Sequence, residues 1–187
     1  MYLHFVGLEV GLLLCYLETT FCQLHGVHPE LWTFFFQLLM AHACYGMDRP
    51  EDVKDGTSTN EELQDYVSLH EMKMRATVDG SILLASTMLA SQAPELLCPF
   101  LVCVYEYRTL KRSIGGLKPV LIALAFTTSA LLLPSKIAEG GYSGVMADFQ
   151  ATGALFFNVL SSSNMLDVSD MEEDMRAGVN TLPVLLG

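Results

Sequence analysis

The sequence predicts an all-α fold: a polytopic transmembrane bundle of about six helices, the class expected of a chain this apolar. Three observations lead there. Of 187 residues, 51% are hydrophobic, and mean hydropathy is +0.38. Long apolar stretches alternate with short polar ones. Two of those stretches end in acidic clusters of identical spacing, Asp48-x-x-Glu51-x-x-x-Asp55 and Asp167-x-x-Asp170-x-x-x-Asp174. Residues three, four and seven apart share one helix face, so each cluster aims three carboxylates in one direction.

Residues 1–22 form the first apolar segment, interrupted by Glu9 and Glu18, which predicts protein or an interface on one side. Gly26, His28 and Pro29 mark a turn. Residues 31–47, with Trp32, Phe34, Phe35 and Phe36, form a second span that runs into the first cluster. Residues 48–74 read as a water-facing polar loop with a short helix after Asn60. Apolar character returns over 76–107 with Pro94 mid-way, and proline breaks or kinks a helix, which favours two short crossings over one. A basic segment (Arg108, Lys111, Arg112, Lys118) precedes a span at 119–133 stopped by Pro134. A turn with Gly140, Gly141 and Gly144 leads to a last span, 145–160, and then to the second motif in 164–187. The whole chain reads as one transmembrane domain.

The double crossing matters because it puts both clusters on one face. It also puts 49–75 and 108–118, with eight of the ten Lys and Arg residues, on the same side, as the positive-inside rule requires of a cytosolic, matrix or stromal face. The implied location is a multi-pass membrane protein, with plastid and mitochondrial inner membranes both open.

Net charge is −11, which excludes nucleic acid as a partner. Nine of the 21 acidic residues lie in 48–55 and 167–174, so the charge is concentrated where chemistry is expected. The five cysteines show no metal-type spacing and read as buried thiols. Clustered carboxylates suit Mg²⁺, which takes oxygen ligands and shares its shell with substrate phosphates. Two clusters facing each other would clamp a diphosphate through Mg²⁺, with Lys111, Arg112 and Arg176 in reach of the phosphates. Asp52, Glu172 and Glu173 read as solvated neighbours, His42 as a packed histidine, and Arg108 and Lys118 as charges that set topology.

Residues 167–187, DVSDMEEDMRAGVNTLPVLLG, resemble the second aspartate motif of the UbiA superfamily of intramembrane prenyltransferases, including the tail Gly178, Thr181, Leu182, Pro183. Residues 47–55, MDRPEDVKD, resemble the first motif, with Met47 in place of asparagine and Glu51 in place of aspartate. Leu166 likewise replaces an amide. Tyr107-Arg-Thr-Leu-Lys111 is similar to the family's YxxxK element. The resemblance implies Mg²⁺-dependent transfer of a prenyl group from a polyprenyl diphosphate to a lipophilic, often aromatic acceptor. By position, Asp48, Glu51, Asp55, Asp167, Asp170 and Asp174 would hold metal and diphosphate, and Tyr107, Lys111 and Arg176 would contact the diphosphate. Family members continue beyond the point matching Gly187, so a shortened or partial member is expected. The alternative is a non-catalytic structural subunit of a photosynthetic or respiratory membrane complex.

Overall fold

The computed structural model describes residues 7–24, 28–56, 58, 60–132, 149–169, 171–176 and 178–186. They form eight α-helices: α1 Leu8–Leu24, α2 Leu31–Lys54, α3 Glu61–Gln92, α4 Leu97–Ser113, α5 Lys118–Thr127, α6 Phe149–Ser169, α7 Met171–Arg176 and α8 Leu182–Leu186. Short 3₁₀ turns at Pro94–Leu96 and Gly115–Leu117 lead into α4 and α5, and a π-turn at Thr128–Leu132 extends α5. The expected turn at Gly140, Gly141 and Gly144 lies outside the described residues.

The all-α class holds, but the polytopic transmembrane bundle does not. Among the described residues no helix is long and apolar enough to cross a membrane. Charge, uncharged polar residues and short length share the cause; α6, for one, carries Gln150, Asn158 and Asn164 among its apolar residues. The 17 residues of α1 carry Glu9 and Glu18. The apolar part of α2 gives way at Asp48 to about two charged last turns. In α3 the run resumed after Arg75 is broken again at Asp79. The described part of α5, ten residues before the π-turn, is shorter than the about 20 residues a crossing needs.

A second correction concerns residues 48–74. The polar loop shrinks to the few residues between Lys54 and Glu61, because both flanking helices claim its ends. Helix α2 continues through Pro50, whose missing N–H removes only the bond to the carbonyl of Gly46. It ends where Asp55 N donates to Glu51 O (2.9 Å) and Gly56 takes φ +67°, a left-handed conformation glycine adopts freely. Helix α3 does start after Asn60, whose side-chain oxygen accepts from Leu63 N (3.0 Å). It then runs unbroken for 32 residues, about 48 Å at 1.5 Å per residue. Leu63, Val67, Met74, Val78, Ile82, Ala85 and Leu89 are its buried stripe, at spacings of three, four and seven.

The chain breaks at Ala93–Leu96, where proline was expected to break it. The main core lies between α2, α3 and α4: Phe36, Ala43, Val78, Ile82, Ala85, Leu89, Ala93, Phe100 and Val104. Phe36 meets Phe100 with ring centroids 5.9 Å apart, and further along, Cys44 of α2 senses Cys103 of α4. Helices α2 and α4 therefore run in the same direction, and the C-terminal end of α4 lies toward the acidic end of α2. A smaller cluster of Leu14, Phe21 and Ala130 fastens α1 to the π-turn. Close approach of α1 to α2 depends on Gly11, where a Cβ would come within 3.0 Å of Leu38.

Candidate functional site

The second cluster is a buried ion-pair site. Asp167 lies in the last turn of helix α6, and the short α7 carries Asp174. Both carboxylates converge on Lys118, the first residue of α5. Lys118 Nζ lies 2.7 Å from Asp167 Oδ1 and 3.4 Å from Asp174 Oδ2, with side-chain exposures of 12%, 2% and 10% for Lys118, Asp167 and Asp174. Burial pushes the Lys118 ammonium toward its neutral form. The hydrogen bond to Asp167 and the charges of Asp174 and Asp167 outweigh that, and its pKa is held above the ordinary value.

Local backbone packing delivers Lys118 there. The turn before it abuts the turn after α7: a Cβ on Gly115 would lie 2.8 Å from Asn180 C and 2.9 Å from Asn180 N and O. Gly178 takes φ +70°, and Val179 N donates to Asp174 O (2.8 Å), closing α7. Thr181 is fully buried beside this turn. Lys118, read from sequence as a topology charge, is thus the residue that the linear reading missed. Nothing local could reveal it, because its partners are 49 and 56 positions away.

The first cluster is arranged differently. Glu51 pairs with Arg75 of α3, which also binds Glu71 (2.9 Å), and Glu71 in turn binds Lys54 (2.5 Å). This Lys54–Glu71–Arg75–Glu51 chain ties the end of α2 to α3 across a solvated surface. Asp48 is half-buried and Asp55 exposed. The three carboxylates of the first motif do share the end of α2, but Glu51 is committed to α3. His42 packs against α3, its Nε2 3.2 Å from Thr77 Oγ1, in keeping with its reading as a packed histidine.

One side chain links the clusters. The Tyr45 phenol is raised in pKa by burial, and it senses Arg49 and Asp48 from its own helix and Lys118 from α5. Tyr45 of α2 therefore stands within electrostatic range of Lys118.

Arg176 pairs with Glu172 one turn earlier (2.5 Å) on an exposed face of α7. Asp170 lies outside the described residues, as do the side chains of Tyr107, Lys111 and Arg112, although the backbone of these three is helical within α4. Among the described residues no group of three or more His, Cys, Asp or Glu side chains is placed to hold a metal ion. Asp167 and Asp174 converge on an ammonium in the way they would on a small cation, and their oxygens are the donor type that Mg²⁺ takes.

No family model, curated protein or solved structure matches this chain.

Proposed function

We propose that the chain binds a polyprenyl diphosphate and transfers its prenyl group to a lipophilic acceptor in an Mg²⁺-dependent reaction, as its resemblance to the UbiA superfamily implies. The observation that supports this best is the buried Lys118–Asp167–Asp174 site. Asp167 and Asp174, joined by Asp170 from the same motif, are the residues to hold Mg²⁺. When bound, Mg²⁺ supplies positive charge to the diphosphate as the bond to the prenyl carbon breaks.

The chain's own part is electrostatic. A diphosphate cannot approach buried carboxylates unless cations intervene. Lys118 offers three N–H donors on a flexible stem and accepts a phosphate oxygen as a partner in place of a carboxylate. The scarcity of water around it strengthens each such interaction. Exposed apolar side chains such as Leu83, Leu84 and Phe157 suit lipophilic reactants.

The test is turnover of a prenyl diphosphate by Asp167→Asn and Asp170→Asn variants, with helicity checked by circular dichroism. Both substitutions are expected to abolish turnover while the helical signal persists. Undiminished turnover in both sinks the reading.

A structural role in a larger assembly is the second reading. Two observations favour it: Glu51 is committed to an inter-helix ion pair, and large apolar side chains are exposed on several helices, among them Tyr16, Leu69, Met72 and Met165. Co-purification with a large complex, together with absence of turnover, selects this reading over the first.

A further inference from the structure

Glu18 is fully buried in the middle of α1, far in sequence from both acidic clusters, and among the described residues no ion pair reaches it. Its surroundings can be solved for protons. Thr33 Oγ1 lies 2.6 Å from Glu30 O and also in hydrogen-bond contact with Glu18 Oε1. A hydroxyl has one hydrogen, and a backbone carbonyl can only accept. The Thr33 hydrogen therefore goes to Glu30 O, since two oxygens at that distance without a hydrogen between them repel. What remains between Thr33 Oγ1 and Glu18 Oε1 needs a hydrogen from Glu18.

The other half of the network closes consistently. Gln37 Nε2 donates one hydrogen to Glu18 Oε2 (3.0 Å) and the other to Ser129 O (2.8 Å). Ser129 Oγ donates to Gln37 Oε1. The amide orientation follows because Ser129 O accepts only. Ser129 sits in the π-turn, so one neutral network ties α1, α2 and that turn together.

We propose that Glu18 carries a proton near neutral pH and acts as a pH-sensitive lock, holding α1 against α2 and the π-turn until the carboxyl ionises. Ionisation costs the bond to Thr33 Oγ1 and leaves a buried charge. Among the described residues, two titratable groups face Glu18, the Cys15 and Cys22 thiols of its own helix. Each is pushed up to about 11 by burial, with the Glu18 charge adding to the rise. From α2 and the π-turn come the uncharged Thr33, Gln37 and Ser129. Burial also raises the Glu18 pKa itself, against the smaller lowering by Thr33 and Gln37. The sign follows: the lock is complete below the ordinary glutamate value and is lost as pH rises through the raised one. The segment it releases is α1, whose Leu14 and Phe21 pack with Ala130.

Infrared difference spectroscopy of wild type against Glu18→Gln at neutral pH tests the proton directly. The expected result is a carboxylic-acid C=O band present in the wild type and missing from the variant. Glutamine reproduces the neutral acid, its amide donating to Thr33 Oγ1 and its oxygen accepting from Gln37. Glu18→Gln is therefore expected to match the wild-type urea midpoint below the ordinary glutamate value and to lie above it near neutral pH, because it lacks the wild type's fall as pH rises. Glu18→Ala, which removes the network, should have a lower midpoint than Glu18→Gln at every pH. A carboxylate band in place of the acid band overturns the proposal, as does a Glu18→Gln midpoint at neutral pH as low as that of Glu18→Ala.

Discussion

The two acidic clusters share one spacing and end up in opposite environments. At the end of α2, Glu51 joins a chain of exposed ion pairs with Arg75, Glu71 and Lys54. At the junction of α6 and α7, Asp167 and Asp174 close on Lys118, nearly out of reach of water. Spacing sets which carboxylates share a face. What the face meets is set by tertiary packing, here the close approach of the Gly115 turn to Asn180. Removing one partner of a buried pair leaves an uncompensated charge, whereas removing one from a solvated pair leaves a hydrated one.

The largest effect is expected from Lys118→Met. It strands two buried carboxylates and should lower unfolding free energy by about 3–5 kcal/mol in urea titrations. Adding Asp167→Asn and Asp174→Asn to that variant should recover part of the loss, since the stranded charges are then gone. Gly115→Ala comes next. Its Cβ meets the Asn180 backbone, which cannot rotate away, so about 1–3 kcal/mol is expected from the same measurement. If Gly115→Ala is neutral, the turn does not position Lys118.

Titration gives a finer contrast. Lys118 has a raised pKa, so its contribution is complete below the ordinary lysine value of about 10.4 and disappears as pH rises through the folded value. Part of the wild-type alkaline loss should therefore be missing in Lys118→Met. Glu71 behaves in the opposite sense. Hydrogen bonds from Lys54 and Arg75 hold it below the usual carboxylate range, so its contribution is present above that range and is lost as pH falls through the folded value. Because the pairs are solvated, the smallest effect belongs to Arg75→Ala, which should scarcely move the urea midpoint and should do less still at high salt. A loss comparable to that of Lys118→Met would erase the contrast between the clusters.

Much of the helical pattern is legible in the chain. Asn60 is an N-cap, Pro94 breaks the long apolar stretch, and Glu18 faces protein as an acid in an apolar helix must. Segmenting by mean hydropathy misleads in two places. It cuts α3 at residue 75, although the buried stripe from Leu63 to Leu89 keeps its helical period across that point. It also reads apolar runs as crossings, when Glu9, Glu18 and Asp79 interrupt them at intervals no membrane helix tolerates cheaply. The site is half legible: the motifs announce Asp167 and Asp174, while Lys118 and the Glu51–Arg75 pair depend on contacts between distant segments. The Glu18 network is equally hidden, since it needs the Ser129 carbonyl from 111 positions away.

The central claim is that the second cluster is a working diphosphate site rather than a structural ion pair. Isothermal titration of a polyprenyl diphosphate, with and without Mg²⁺, tests it most directly when wild type is run beside Asp167→Asn and Asp170→Asn. The account predicts Mg²⁺-dependent binding to wild type, weakened by about tenfold or more in each variant, a loss of at least ~1.4 kcal/mol. Binding that ignores Mg²⁺, or that is equal in all three proteins, would contradict it.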